Sequence, residues 1–243
     1  MAECRIAALL ARGLASGAIR ASWPPEAAST GRKLAIFSAL FPPDMSTLTA
    51  VRKGNVVAIA SEALTTFEDT RLPFDNDAAP EKIFAVETTQ GTAYVGVVGY
   101  TAHFLVLKQA LEDFSSSDEG LDLSSREAVF ETFRQLHPIL KESYFLLPES
   151  GQEGDPYESS QASVLIASPG GIFGVYDMRE VHGYKRYWAM GSGYPYALGA
   201  MWARYDDLEP GPLATLGAEA GIAFDRSSDG PVMVYEVALA PGE

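Results

Sequence analysis

The chain has 243 residues, 47% of them hydrophobic, and a formal net charge of −14. That charge argues against a nucleic-acid or anionic-membrane surface, since both reward clustered Lys and Arg. A lone cysteine, Cys4, excludes a disulfide framework and a cysteine metal site and suits a reducing cytoplasm, while no apolar run approaches the ~20 residues that span a bilayer.

The charge is not spread evenly. Residues 1–45 hold five basic and three acidic residues, a net of +2, whereas residues 46–243 hold thirteen and twenty-nine, a net of −16. The first part is Ala-rich and broken by Pro24-Pro25 and Pro42-Pro43. Arg5, Arg12 and Arg20 give it some of the composition of a targeting peptide, but its apolar segments are short and interrupted. A propeptide or an upstream extension absent from the working protein is the simpler expectation. Residues 46–243 are then a single domain.

From residue 46 the pattern turns to strands. Ser46 to Lys53 and Val56 to Glu62 are rich in small and β-branched residues and flank Gly54-Asn55, a pair suited to a tight hairpin whose central positions need φ > 0. In that hairpin Ser46 and Glu62, sixteen positions apart, fall at the same end. Leu64 to Pro80 is polar and turn-rich and reads as an exposed loop. Lys82 to Val86 and Ala93 to Val98 form a second hairpin through Thr88-Thr-Gln-Gly91, and Gly99 ends it.

Ala102, Leu105, Val106 and Ala110 recur at helical spacing and predict a helix to about Phe114. A second helix begins at Ser124 or Ser125, with Val129, Phe130, Phe133 and Leu136 on one face, and Pro138 is expected to end or kink it. A Ser-, Glu- and Gly-rich loop covers 148–161. Ser163 to Ala167 and Ile172 to Tyr176 flank Pro169-Gly170-Gly171 as a third hairpin, and Tyr184 to Met190 reads as one further strand. Tyr196 to Tyr205 and Leu213 to Phe224 are two helices rich in small residues, and Val232 to Leu239 is the closing strand. Two runs of strands separated by helix pairs imply an α+β fold, a four-layer α-β-β-α sandwich of two antiparallel sheets.

The first hairpin, the acid at its exit, Lys82-Ile83 opening the next strand, and Gly191-Ser-Gly-Tyr-Pro-Tyr-Ala-Leu-Gly-Ala200 follow one another in the order and spacing of a proteasome β-type subunit. The chain resembles that family, a group of N-terminal-nucleophile hydrolases including HslV-type peptidases and bacterial proteasome homologues, from Ser46 to about Val237. The resemblance implies the same sandwich and a peptidase subunit that cleaves peptides or unfolded protein inside a self-assembled ring, with an ATP-dependent unfoldase as a further partner. It implies catalytic roles for Ser46, Glu62 and Lys82, and support of the amino end by Ser192, Asp225 and Ser228. It requires no cofactor, but suggests that carbonyls of Ile222, Asp225 and Ser228 bind Na+.

The residues themselves support such chemistry. A free α-amine has a pKa of roughly 7.7 to 8.0, so at Ser46 it could take the proton of its own hydroxyl. Lys82 would favour the neutral amine and the developing alkoxide, with Glu62 holding the ammonium, and the Gly99 N–H is the candidate oxyanion donor. Three departures stand against the family pattern: serine replaces threonine, glutamate replaces aspartate, and Met45 replaces the glycine of self-processing members. Met45 before a small serine resembles a removable initiator, so the functional start is expected there. The alternatives are a catalytically impaired subunit with a structural or binding role and an amidase for small amides.

Other features have plainer readings. Gly191-Ser-Gly lacks the spacing of a dinucleotide or P-loop phosphate cradle, and the small residues from Ala197 to Ala203 suit close helix packing. His103, His137 and His182 have no paired ligand spacing, and each reads as a core or surface histidine.

Overall fold

A computed structural model describes residues 45–67, 70–147 and 155–241, and the expectations for the upstream segment and for residues 148–154 lie outside them. Eleven strands and four helices follow one another in these residues. Strands β1 (Leu48–Lys53) and β2 (Val56–Ser61) form the first hairpin, and β3 (Thr65–Phe67) with β4 (Thr70–Leu72) a short second one. Strands β5 (Ile83–Thr88) and β6 (Gly91–Gly99) precede α1 (Ala102–Ser115) and α2 (Arg126–Glu142). Then come β7 (Ala162–Ser168), β8 (Gly171–Val175), β9 (Val181–Tyr184) and β10 (Tyr187–Met190). Helices α3 (Tyr194–Arg204) and α4 (Pro210–Phe224) and strand β11 (Met233–Ala238) complete the order.

All strand pairs are antiparallel, and they form a sheet ordered β10-β1-β2-β11 and another ordered β5-β6-β7-β8-β9. Three apolar layers stack these elements. Leu48, Ile59, Ile83, Leu165 and Ile172 fill the space between the two sheets. Leu107, Leu111, Phe133 and Leu136 of α1 and α2 cover the outer face of the five-stranded sheet. Ala197, Met201, Leu213 and Ala214 of α3 and α4 cover the four-stranded one. The α-β-β-α sandwich expected from the sequence is present, because each sheet has two apolar faces to bury.

The details differ in several places. Only Gly54 of the hairpin turn takes a positive φ, +60°; Asn55 does not. The polar stretch 64–80 contains β3 and β4, a ribbon without an apolar face. Tyr184 to Met190 is not one strand: β9 pairs with β8 and β10 with β1, so the chain changes sheets at Lys185-Arg186. Two charged residues interrupting the apolar run supply the break.

In α1 the buried face is His103, Leu107, Ala110 and Leu111, while Leu105 is exposed. In α2, capped by the Ser125 side chain accepting the Ala128 N–H at 3.1 Å, Phe130 is exposed whereas Val129, Phe133 and Leu136 are buried. Pro138 lies inside α2 and does not end it. It occupies the exposed face, where water can solvate the carbonyl left without its helical donor.

Candidate active site

Ser46, Glu62 and Lys82 come together at one end of the sandwich. The β1–β2 register pairs Leu48 with Ser61, so Thr47 faces Glu62, and the Glu62 N–H reaches the Thr47 carbonyl at 3.4 Å. Lys82 comes from the other sheet, at the start of β5, where its carbonyl accepts the Val97 N–H at 3.0 Å. Its ammonium donates to Ser46 Oγ at 2.9 Å and is ion-paired with Glu62 Oε1.

The glutamate is fully buried, yet its carboxylate is saturated. Oε2 accepts from the N–H groups of Leu64 at 2.7 Å and Asp229 at 3.2 Å, and Oε1 accepts from Thr47 N–H at 3.3 Å as well as from Lys82. Burial pushes the Lys82 ammonium below its ordinary value of 10.5; the Glu62 carboxylate, and more weakly Asp225, pull it back up. The methylene by which glutamate exceeds aspartate is absorbed without loss of the ion pair.

A second chain of bonds grips the backbone of Ser46. Its N–H donates to Ser192 Oγ at 3.3 Å; Ser192 in turn donates to Asp225 Oδ2 at 2.6 Å, which also accepts Ser228 Oγ at 2.8 Å. The Ser46 carbonyl accepts the Gly193 N–H at 3.2 Å. Gly191, at φ +88°, is required here: a Cβ would stand 2.2 Å from the Ser46 carbonyl oxygen. The Gly-Ser-Gly turn therefore cradles a piece of this chain's own backbone. With Met45 attached, the Ser46 nitrogen is an amide, and its hydroxyl hydrogen-bonds to the Met45 carbonyl.

Thr47 was not singled out by sequence reasoning, although it joins the two networks. It is fully buried, its Oγ1 lies 2.7 Å from Ser228 Oγ, and its N–H bonds to Glu62. A Cβ on Gly193 or Gly221 would fall 1.9 or 2.1 Å from that same Oγ1, so the threonine occupies a slot made by two missing side chains. A threonine in a strand-like run carries no signal beyond β-propensity. The pairing with distant glycines was invisible in one dimension.

Gly99 closes β6 at φ +112°, two residues past Val97, and so lies at the same end of its sheet as Lys82. Ile222 is in the last turn of α4, where carbonyls run out of helical partners. The Asp225 carbonyl accepts the Ser228 N–H at 3.2 Å and retains a lone pair. Backbone oxygens of this kind suit a hard monovalent cation. Of the histidines, His103 and His137 are buried in α1 and α2, and His182 is exposed beside Glu180. A cleft of about 670 Å³ opens between α1 and α2, lined by Asp113, Phe114, Asp118, Glu119 and Glu131, and contains none of the candidate residues. Among the described residues no helix is long and apolar enough to cross a membrane.

This sandwich, with a hydroxyl, an ammonium and a carboxylate at its open end, is the architecture of proteasome-type N-terminal-nucleophile subunits. HslV from Trypanosoma brucei is 18% identical over 79% of this chain and 99% of its own, with a TM-score of 0.57, and Anbu from Yersinia bercovieri is 16% identical over 79% and 81%, also at 0.57. At those identities the likeness shows the fold. BPH, the bacterial proteasome homologue of Thiobacillus denitrificans, is 37% identical over 81% of this chain and all of its own, with a TM-score of 0.71; a structure of it in complex with epoxomicin gives 0.70. The chain therefore belongs to the proteasome-type subunit family, with the bacterial proteasome homologue as a relative. No protein-family model and no curated protein matches it.

Proposed function

We propose that the chain is a peptidase subunit in which Ser46, once freed as the first residue, cleaves peptide bonds inside a ring of like subunits. The observation that carries this reading is the Lys82 ammonium 2.9 Å from Ser46 Oγ and paired with a fully buried Glu62. The α-amine takes the hydroxyl proton, Oγ attacks the substrate carbonyl, and the Gly99 N–H receives the oxyanion. The intermediate collapses to an ester as the proton passes to the leaving amine, and water then releases the acyl group. Lys82 keeps the amine neutral and lowers the cost of the alkoxide, while Ser192, Asp225 and Ser228 hold the amine in place.

Removal of residues 1–45 is part of the proposal, because an amide nitrogen cannot act as base. A sodium ion on the carbonyls of Ile222, Asp225 and Ser228 would stiffen the loop that carries Asp225 and Ser228. A cytoplasmic location and an ATP-dependent unfoldase that feeds the chamber complete the reading. The relative's complex with epoxomicin makes that compound a useful probe.

The test is a fluorogenic peptide assay on protein with a verified Ser46 N-terminus, beside Ser46→Ala, with particle size measured on the same samples. Turnover that Ser46→Ala abolishes, from a ring-sized particle, is the expected result. No turnover from a correctly trimmed ring would leave a structural subunit, and turnover of small amides by a monomer would mean an amidase.

A further inference from the structure

We infer that His137, on α2, is a positioning residue for the proposed cleavage: it ties the segment 158–162 to α2 and so holds the strand that backs Gly99. The inference rests on the peptidase reading for its link to catalysis, but the tie itself is a matter of geometry.

Both ring nitrogens of this buried histidine are engaged. Nδ1 lies 3.0 Å from Ser160 Oγ and Nε2 3.1 Å from Glu158 Oε2. Arg179, from the turn after β8, places Nη1 3.2 Å from the same Nδ1, 3.2 Å from Ser160 Oγ and 2.8 Å from the Glu158 carbonyl. A guanidinium only donates. Nδ1 is therefore an acceptor, the ring proton sits on Nε2 and is given to Glu158, and the imidazole is neutral. Lys141, one turn further along α2, donates to both Glu158 oxygens, Oε1 at 2.8 Å and Oε2 at 2.7 Å. Asp177 accepts the Ser160 N–H with its carbonyl and Ser159 Oγ with its carboxylate at 3.4 Å.

What this tie holds is the approach to the candidate oxyanion donor. Gln161 follows at φ +55°, a left-handed conformation that a non-glycine residue keeps only where its surroundings enforce it. Arg179 itself is at φ +63°. Ala162 comes next and pairs with Gly99 at the end of β6, and the Gln161 backbone lies against His103 in the first turn of α1. A slack segment 158–161 would free the partner strand of Gly99 at the position where the oxyanion is to be received.

The tie works in one protonation state. Burial pushes His137 below its ordinary value of 6.5; Glu158 pulls it up, Arg179 and Lys141 push it down, and the net shift is downward. With the folded value below the unfolded one, the stabilisation is complete above 6.5 and is lost as the pH falls through the folded value. The second proton would land on Nδ1, against the guanidinium.

The decisive experiment combines hydrogen exchange with pH profiles on the trimmed protein. Corrected for intrinsic rates, exchange at 99–103 and 158–162 rises in a step on acidification in the wild type and not in His137→Gln. With the α-amine alone titrating, kcat/KM falls at most tenfold per pH unit in acid; a second proton at His137 that costs a further tenfold steepens that limb, through its own titration range, to about thirtyfold per unit. His137→Gln returns it to tenfold, with kcat at neutral pH down about tenfold and KM within about twofold. Glu158→Gln, on an exposed side chain that touches His137 and not His103, removes the partner favouring the protonated ring and moves the step to lower pH. Superposable wild-type and His137→Gln profiles, or a step that Glu158→Gln leaves in place, would overturn the inference. An exchange step without peptide turnover would instead defeat the peptidase reading and leave the tie standing.

Discussion

The two outer helical layers solve the same problem in opposite ways. Against the four-stranded sheet, α4 omits side chains: Gly217 stands where a Cβ would meet Thr49 Cγ2 at 2.9 Å, and Gly221 where one would meet Thr47 Oγ1 at 2.1 Å. Backbones approach until Thr49 Oγ1 reaches the Ala214 carbonyl at 2.7 Å. Against the five-stranded sheet, α1 and α2 fill the gap with Leu107, Leu111, Phe133 and Leu136 and leave a cleft of about 670 Å³ between them. The close-packed layer carries the residues that hold Ser46 and Thr47. The looser one stands behind the sheet that delivers Lys82 and Gly99, so precision is concentrated where Ser46 is anchored.

The largest expected effect comes from breaking the joint between the two sheets. Lys82→Met leaves the Glu62 carboxylate buried without its cation, and should cost about 3–5 kcal/mol in urea unfolding. On the proposed function, loss of the charge beside Ser46 should also lower turnover by about 10²–10³-fold. Adding Glu62→Gln removes the stranded charge; its single amide oxygen can still accept from Leu64 and Asp229, while its NH2 then faces the Thr47 N–H, which loses its acceptor. The double variant should therefore recover part of the lost stability, short of the cost of the unpaired Thr47 N–H, and none of the activity. Recovery of both would mean that the pair is scaffolding and that the chemistry lies elsewhere.

An intermediate effect is expected at Gly221. Alanine in a helix interior is ordinarily favoured over glycine by about 1 kcal/mol, yet here the new methyl would overlap Thr47 Oγ1. Gly221→Ala should reverse the sign and destabilise by about 1–3 kcal/mol. Displacing Thr47 from Ser228 should further reduce turnover by about tenfold without abolishing it. Stability measured by denaturation and kcat on the folded fraction separate these two consequences.

These contrasts also explain what the sequence disclosed. Ser46 and Glu62 at one end of the hairpin were legible because a two-residue turn fixes the register, and the register places both there. The layer order was legible from the alternation of strand runs and helix pairs. The buried face of α1 was not: apolar residues lie around much of the helix, so periodicity could not choose between Leu105 and Leu107. Lys185-Arg186 marked the sheet switch, but only as a charged interruption in an otherwise apolar run. Thr47 and the His137 tie depend on partners 181 and 21 to 42 positions away, a distance at which local pattern carries no information.

The smallest effect should come from filling the cleft of the looser layer. Ala128, whose N–H is capped by Ser125, is half-buried and lines that cleft in the first turn of α2. Leucine is nearly as good a helix former as alanine, and here it has empty volume to enter in place of a neighbour to displace. Ala128→Leu should shift stability by no more than about 0.5 kcal/mol, toward the more stable side, with peptide turnover unchanged. The comparison with Gly221→Ala turns on this sign. Both variants enlarge a helix residue that faces another element, and only one meets an atom when it does so. If Ala128→Leu destabilised by more than about 1 kcal/mol, the cleft would have to close in solution, and the outer layer would be as tightly packed as the one that carries Thr47.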